Sequence, residues 1–280
     1  MIHLTPYGGL ANRMRALNAA IEFAQTINRP LVVTWFKNPE LNAAYDDLFT
    51  PPQLANSQGI TIKTGSFTDR FIYQSPRKHN LWLPGITRHL KFDTYIYPSR
   101  FIELRGNDTL KDCIRNSKRV FIESCYEFGD YYSSLSKNFI PQPDILTAVD
   151  NFVAKNFSPT TIGIHIRRTD NVMSIEKSPL PLFIDAMHKE IEKCADTKFY
   201  IASDDERTKE ELKQIFGNRI LTIHTDCNRN SLNGMKEAVK EMWILSRTTK
   251  IYGCYYSTYP IIASKLTNIP LEILQIDRPY

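Results

Sequence analysis

The chain has 280 residues, of which 42% are hydrophobic and 23% are charged. This is the composition of a folded globular protein and excludes an intrinsically disordered chain, and the length suits one large domain or two ordinary ones. Its 35 basic and 30 acidic residues give a net charge of +5, which suits an anionic ligand but is too weak an argument for nucleic-acid binding.

The cysteines and the N-terminal residues indicate the cellular compartment in which the protein is expected. Five cysteines, at positions 113, 125, 194, 227 and 254, form no C-x-x-C pair, so we expect neither a disulfide framework nor a structural zinc site. The first residues lack the basic and apolar regions of a signal peptide, and no apolar run approaches the ~20 residues that span a bilayer. We therefore expect a soluble, cytoplasmic protein with no transmembrane segment, and peripheral membrane contact stays open.

The N-terminal residues predict a β-α-β unit. Residues 2–4 form a short apolar run, and Pro6-Tyr7-Gly8-Gly9 interrupts it. From position 10 to 27, apolar residues recur at spacings of three and four, which indicates a helix. Residues 31–35 are typical of the next strand. This alternation predicts a parallel sheet.

The middle of the chain, from about residue 50 to 150, has scattered prolines and few clean periods. Residues 119–123 are one predicted strand. The segment Phe128-Gly129-Asp130-Tyr131-Tyr132 is of the kind that holds sugars or bases, and an irregular core loop is the equal alternative.

The last third predicts a second α/β unit. Strands are expected over 160–166, 198–203, 220–223, 250–252 and 271–274, and helices over 180–191, 207–216, 235–246 and 259–266. The linker is expected near Pro141 and Pro143 or at Phe157-Ser158-Pro159, and we place the domains at 1–157 and 158–280. Ligands of such sheets bind at the carboxyl ends of the strands, so a cleft between two α/β halves is expected.

The segment Ile164-His165-Ile166-Arg167-Arg168-Thr169-Asp170 stands at the end of a predicted strand. Two adjacent arginines at a strand tip repel each other unless an anion compensates them, and a guanidinium grips phosphate oxygens in a two-pronged fork. Asp170 can orient one of the arginines. An ordinary surface Arg–Asp pair is the alternative.

Three further motifs stand between a predicted strand and a helix. Gly8-Gly9-Leu10-Ala11-Asn12-Arg13 lets the backbone approach an anion at a helix N-terminus, although it lacks a dinucleotide or P-loop pattern and a plain tight turn is the alternative. In Ala202-Ser203-Asp204-Asp205, the two carboxylates could bind a metal, act as a base or cap the following helix, and capping is the default interpretation. Tyr255-Tyr256-Ser257-Thr258 offers hydroxyls and N–H groups to an anion, or a cap. The six histidines show no metal-ligand spacing.

Together with Asn230-Ser231-Leu232-Asn233-Gly234 and Leu245-Ser246, these motifs in this order resemble the GDP-fucose-dependent fucosyltransferase superfamily. The similarity is greatest to the core α1,6-fucosyltransferases of animals and the rhizobial Nod-factor fucosyltransferases, and it covers most of residues 160–266. The resemblance implies an α/β, GT-B-like fold with two Rossmann-type domains facing a cleft. The N-terminal domain would then be the acceptor side and the C-terminal domain the donor side.

The resemblance also implies inverting, metal-independent transfer of fucose from GDP-fucose to a glycan hydroxyl. Arg167 resembles the arginine that is essential for activity and holds the β-phosphate, and a cation there stabilises the charge left on GDP. Arg168 matches the second arginine, near donor and acceptor. Glu176 fits the catalytic base if one insertion is allowed, and Asp204 and Asp205 are the runners-up.

The donor contacts are carried over in the same way. His165 resembles a guanosine contact, Glu241 falls where the family has an aspartate that reads guanine, and Ser257 resembles the serine on the β-phosphate. The complete donor-binding set implied is Gly9, Asn12, His165, Asp204, Asp205, Glu241, Ser257 and Thr258. No cofactor or metal is expected, and the partners are a GDP-sugar and an oligosaccharide or polysaccharide acceptor, with no nucleic acid.

The chain departs from the family pattern in two places. Asn171 stands where the animal enzymes have a lysine, and three extra residues between Gly234 and Ser246 affect the assignment of Glu241. Use of another GDP-sugar is an alternative. So is a non-catalytic nucleotide- or glycan-binding protein with a decayed transferase fold, against which the intact Arg167 and Arg168 argue. A basic RNA-binding module is disfavoured because the chain lacks RRM and KH signatures.

Overall fold

The computed structural model describes residues 1–52, 59–74, 89–105, 108–129, 132–224 and 228–276. The chain divides into two compact units, Met1–Ile140 with Arg229–Leu232, and Pro141–Asn228 with Asn233–Tyr280. The crossing at Ile140–Pro141 lies beside the first of the two linkers considered above. Asp130 and Tyr131 of the polar aromatic segment, and Cys227, lie outside the described residues.

In the described residues, the first unit contains a parallel five-stranded sheet in the order β3-β2-β1-β5-β4. Its elements are β1 (Ile2–Pro6), α1 (Leu10–Thr26), β2 (Leu31–Trp35), α2 (Tyr45–Leu48), β3 (Ile60–Thr64), α3 (Asp69–Tyr73), β4 (Thr94–Ile96), α4 (Pro98–Leu104), α5 (Thr109–Asn116), β5 (Val120–Ser124) and α6 (Leu135–Asn138). The predicted β-α-β opening is confirmed. All five residues of β1 are buried, as in a strand covered on both faces.

The turn between β1 and α1 requires its first glycine. Gly8 has a φ of +83°, and a Cβ there would lie 3.1 Å from Asn12 Nδ2. A positive φ is a conformation that glycine adopts without the steric cost of a side chain. Gly9 is the N-cap residue of α1, and it has an ordinary φ of −72°.

Arg13 of the same motif is fully buried, and its bonds are structural. Its Nε donates to Gly8 O at 2.8 Å, Nη1 donates to Phe36 O at 2.6 Å, and Nη2 donates to Asn38 Oδ1 at 2.8 Å. The guanidinium also lies 5.1 Å from the centre of the Trp35 ring. Burial lowers the pKa of Arg13 to about 10. This arginine therefore ties the turn after β1 to the segment after β2.

The second unit contains a parallel sheet in the order β10-β9-β6-β7-β8. Its elements are α7 (Pro143–Asn156), β6 (Thr161–Ile166), α8 (Val172–Lys177), α9 (Leu180–Lys193), β7 (Lys198–Ser203), α10 (Glu206–Phe216), a 3-10 turn (Gly217–Arg219), β8 (Ile220–Leu221), α11 (Leu232–Ser246), β9 (Ile251–Cys254), α12 (Thr258–Thr267) and β10 (Leu271–Leu274). After β8 the chain crosses to the far side of β6, so the topological switch point lies between β6 and β9.

One strand of this unit is shorter than predicted. β8 ends at Leu221, whereas the sequence indicates a strand to residue 223. Side chains bond the backbone here instead: Lys209 Nζ donates to Ile223 O at 3.2 Å, and Thr222 Oγ1 donates to Ile201 O at 3.3 Å. The core of the unit packs around Ile164, Phe183 and Phe199.

Among the helices of the described residues, none is both long and apolar enough to cross a membrane. Cys113, Cys125, Cys194 and Cys254 are free thiols.

Candidate functional site

The site of the second unit lies where β6 and β9 end side by side. The two strands pair in parallel through Gly163 with Ile251 and Ile164 with Tyr252. The arginine motif therefore leaves the sheet next to the turn that follows Cys254. Ligands of doubly wound sheets bind at such a switch point.

Asp204, directly after β7, holds the arginine loop in place. Its Oδ1 accepts the backbone N–H of Arg168 at 2.7 Å, and its Oδ2 accepts the Thr169 hydroxyl at 2.6 Å. The Nε of Arg167 lies 3.9 Å from Oδ2. Asp204 thus contributes by fixing the loop that carries both arginines.

The two arginines have different surroundings. Asp170 Oδ1 accepts a bond from Arg167 Nε at 2.8 Å and lies 2.5 Å from its Nη2, while 22% of the Arg167 side chain stays exposed. The Nη2 of Arg168 donates instead to the backbone carbonyl of Ser178 at 2.8 Å, and burial lowers the pKa of Arg168. Both arginines are partly exposed, but Arg167 is paired with a carboxylate of its own loop, whereas Arg168 is bonded to a backbone carbonyl.

Asp205 is the N-cap residue of α10. Its Oδ2 accepts both the backbone N–H of Thr208 at 3.1 Å and the Thr208 hydroxyl at 2.6 Å. The Thr208 hydroxyl bond, which is the largest effect, lowers the pKa of Asp205, and partial burial opposes it. Capping is thus the contact that the structure shows for this residue, and its role in donor binding or as a base stays a prediction.

Glu241, on α11, is buried beside a buried lysine. Its Oε1 is inaccessible and accepts no hydrogen bond from the described residues, and Lys209 Nζ lies 3.8 Å away. Lys209 itself donates to Glu206 Oε1 at 2.8 Å. A buried acceptor without a donor is costly, and native proteins retain few of them.

The electrostatics of Glu241 link it to the other predicted donor residues. Burial is the largest effect and raises the pKa of Glu241 to about 7, while the positive charges of Lys209 and His165 act to lower it. Asp204 and Glu206 oppose them as negative charges. The fold therefore brings Glu241, His165 and Asp204 within electrostatic reach of one another.

His165, on β6, is held between a thiol and an aromatic ring. Its Nδ1 lies 3.5 Å from Cys254 Sγ, and its ring stacks on Tyr259 with centroids 5.1 Å apart. Burial, the largest single effect, raises the pKa of the Cys254 thiol, but the imidazole together with hydrogen bonds from Ser174 and the backbone of Arg167 lowers the pKa to about 7. The imidazole is thereby fixed at the switch point.

Ser257 and Thr258 stand where α12 begins. Ser257 is the buried N-cap residue of this helix, but its side chain makes no capping hydrogen bond. The alternative of a simple serine cap is therefore not realised. A helix N-terminus of this kind favours an anion through its dipole and its N–H groups.

Glu176 lies on the exposed side of α8, four residues after Val172. Positions four apart share one helix face, so this carboxylate and the exposed Val172 are neighbours on that face. Gly9 and Asn12 lie in the first unit, where Asn12 Oδ1 accepts a bond from Arg15 Nη2 at 3.1 Å. Their contact with a donor stays a prediction.

Three kinds of residue at this site could not be selected from the sequence pattern. Lys209 was passed over, although it falls on the apolar face of α10, three and seven residues before Leu212 and Phe216. Cys254 entered the prediction only through the cysteine count, and its contact with His165 was not predicted. Ser174 and Ser178 hold the turn after β9 by contacts that no local sequence pattern indicates.

In the described part of the chain, no three His, Cys, Asp or Glu side chains group as metal ligands do. The expectation of a metal-independent reaction stays a prediction.

Two parallel five-stranded sheets with helices, one in each α/β unit, form a fold that solved fucosyltransferase structures share. A NodZ α1,6-fucosyltransferase co-crystallized with GDP is similar to the chain with a TM-score of 0.67 and 17% identity, over 100% of this chain and 99% of that one. The fucosyltransferase NodZ from Bradyrhizobium has a TM-score of 0.66 and 16% identity, over 99% of both chains.

POFUT1 in its apo form is also similar, with a TM-score of 0.62 and 10% identity over 98% of this chain and 97% of that one. No family model and no curated protein matches the sequence. At these identities the likeness establishes the fold, and the resemblance inferred from the motifs is confirmed at that level.

Proposed function

We propose that the protein is a glycosyltransferase that moves fucose from GDP-fucose to a hydroxyl of a glycan, with the donor bound at the switch point of the second unit. One observation carries the proposal: Glu241, whose buried Oε1 accepts no hydrogen bond from the described residues, lies within electrostatic reach of His165 and Asp204. Asp204 in turn holds the loop that carries the partly exposed Arg167. Solved structures of the same fold include NodZ soaked with GDP-fucose and POFUT1 in complex with GDP-fucose.

Glu241 supplies the guanine specificity. The N1–H and the N2 amino group of guanine donate side by side, and a carboxylate accepts both; adenine offers no such pair. The side chain of Glu241 is 11% exposed and its Oε1 is inaccessible, so accepting both guanine bonds requires the carboxylate to turn toward the base. Lys209 Nζ lies 3.8 Å from Oε1, and its charge favours the ionised carboxylate. His165, stacked on Tyr259, borders the nucleoside.

The diphosphate is held by Arg167, by the Ser257 hydroxyl and by the N-terminus of α12. When the bond between the sugar and the β-phosphate breaks, its electron pair stays on the phosphate oxygen as negative charge. A fixed guanidinium stabilises that charge more in the transition state than in the ground state, and so accelerates the reaction. Asp170 and Asp204 hold the guanidinium and its loop.

Glu176 takes the proton of the acceptor hydroxyl. The hydroxyl oxygen attacks the anomeric carbon from the face opposite GDP, so a single displacement inverts the configuration. Asp204 and Asp205 are weaker candidates because both carboxylates already accept protein hydrogen bonds. The GT-B arrangement, the absence of a metal requirement, and a cytoplasmic or peripheral location belong to this proposal.

The affinity for GDP-fucose is expected to fall about ten-fold between pH 8 and pH 6. Because the pKa of Glu241 lies at about 7, its ionised form dominates above that pH and is lost below it, and only that form accepts both guanine bonds. GDP-fucose is the suitable ligand for calorimetry, because its phosphates are esterified and do not titrate in this range. Lys209→Met raises the pKa further and moves the loss to higher pH.

Two variants serve as controls for this pH dependence. Glu241→Gln removes the titrating group and flattens the profile. Lys213→Met changes an exposed lysine on α10, the helix that carries Lys209, and is expected to leave the pH dependence unchanged. A slope that survives in Glu241→Gln would assign the pH dependence to another group, such as the Cys254 thiol, whose pKa lies at about 7.

The test of the proposed reaction is an assay of GDP release from GDP-fucose with a panel of oligosaccharides, with and without EDTA. Mass analysis of the products identifies a deoxyhexose added to a glycan. We expect acceptor-dependent release that EDTA does not change. Turnover of GDP-mannose in place of GDP-fucose would select the alternative donor, and donor binding without turnover would select a non-catalytic protein.

A further inference from the structure

Tyr256, in the turn between β9 and α12, combines two uncommon properties. Its backbone has a φ of +55°, which is costly for a residue with a bulky side chain. Its side chain is nevertheless exposed, at 70%, so the strain is not compensated by burying the ring. A strained backbone that presents an exposed aromatic ring points to a use for that ring.

The surrounding protein holds this strained turn by three side-chain hydrogen bonds. Asn171 Nδ2 donates to Tyr256 O at 2.9 Å, and the Ser174 hydroxyl donates to Tyr255 O at 2.6 Å. The backbone N–H of Tyr255 donates to Ser178 Oγ at 2.8 Å. All three partners come from the segment that contains α8, so this segment fixes where the ring of Tyr256 stands.

The same segment carries the groups of the proposed reaction. Asn171 follows Asp170, the residue that orients the guanidinium of Arg167. Asn171 Oδ1 also caps α8 by accepting the N–H of Ser174 at 3.1 Å, so it sets the start of the helix that bears Glu176. Val172 on that helix is 63% exposed. An apolar surface is thereby presented beside charged groups that face solvent.

We propose that Tyr256 is the acceptor-binding platform of the enzyme, on which one pyranose ring of the glycan stacks, with Val172 at its border. A pyranose has an apolar face of C–H groups and a rim of hydroxyls. The C–H face suits the electron-rich face of an aromatic ring, and the hydroxyls suit the charged groups around it. This inference rests on the proposed function and names the residue that holds its second substrate.

The contacts of Asn171 support this assignment. Both polar ends of its side chain are used inside the protein, one on Tyr256 O and one on the N–H of Ser174. Asn171 therefore acts as a positioning residue. The surface that it positions, the ring of Tyr256, is the part that remains available to a glycan.

The experiment compares wild type with Tyr256→Ala and Tyr256→Phe on an array of immobilised oligosaccharides, in the presence of GDP. The phenyl ring keeps the stacking face, so Tyr256→Phe is expected to bind within about two-fold of wild type. Tyr256→Ala is expected to bind about ten-fold more weakly, the effect of removing one aromatic anchor. Phe67→Ala, at an exposed aromatic residue of the first unit, is the matched control and leaves binding unchanged.

Tyr256→Gly separates stacking from backbone strain. Glycine relieves the positive φ and so preserves or raises the stability of the fold, yet it removes the ring and is expected to bind glycans as weakly as the alanine variant. Equal glycan binding by wild type and Tyr256→Ala, or no glycan binding by wild type, overturns the proposal. Calorimetry with GDP on the same variants shows separately whether the donor half of the proposed function stands, because Tyr256 is not expected to change it.

Discussion

Arg167→Ala is expected to lower kcat for fucose transfer roughly 10²- to 10³-fold, the effect of removing one donor aimed at a developing charge. Arg167 is the arginine that Asp170 orients, with Nε 2.8 Å from Oδ1, and 22% of its side chain is exposed. Its charge matters most when the sugar–phosphate bond breaks, so kcat falls further than the affinity for GDP-fucose. Steady-state kinetics and calorimetry on the same preparation separate the two effects.

Two further variants test whether the effect depends on the guanidinium of Arg167. Arg167→Lys keeps a positive charge but loses the planar fork, and an intermediate kcat is expected. Arg207→Ala removes an exposed arginine from α10 and leaves transfer unchanged. Full activity in Arg167→Ala would show that the leaving phosphate is stabilised by other groups, and the mechanism proposed for the second unit would then be wrong.

Glu176→Gln is expected to lower kcat about 10²- to 10⁴-fold with little change in the affinity for GDP-fucose. Glutamine preserves the size and exposure of the side chain but cannot take a proton from the acceptor hydroxyl. The matched control is Glu192→Gln, an exposed glutamate near the end of α9. Rates measured with saturating donor and acceptor report the chemical step.

If Glu176→Gln retains full turnover, the catalytic base is a residue other than Glu176. Asp204 and Asp205 are next in order, but each already accepts hydrogen bonds inside the protein, from Arg168 and Thr169 and from Thr208. A loss of activity in their variants therefore needs a check of folding, because these carboxylates also hold the arginine loop and cap α10.

The regular parts of the fold could be predicted from the sequence, because their strands consist mainly of apolar residues and their helices have a clear apolar face. The strands Leu31–Trp35, Lys198–Ser203 and Leu271–Leu274 lie where the pattern places them. The middle of the chain could not be predicted in the same way. Its described elements, such as α2 (Tyr45–Leu48) and β4 (Thr94–Ile96), are too short to establish a period.

Some residues of the candidate site could be predicted from the sequence and others could not. Residues at strand ends, such as Arg167, Asp204 and Ser257, could be selected because parallel strands bring their carboxyl ends to one edge. Lys209 was missed because lysine is almost always exposed, and only its burial beside Glu241 gives it significance. The role of Asn171 depends on a contact 85 residues away in the chain, which no local pattern contains.

Binding of a guanine nucleotide by the second unit is tested by calorimetric titration of the protein with GDP, UDP and ADP, each with and without EDTA. We expect GDP to bind selectively, with an affinity that EDTA does not change, because Glu241 accepts hydrogen bonds from guanine and Arg167 holds the phosphate. No binding, or a preference for UDP or ADP, would contradict the assignment of Glu241 and His165 and leave the likeness to fucosyltransferases one of fold alone.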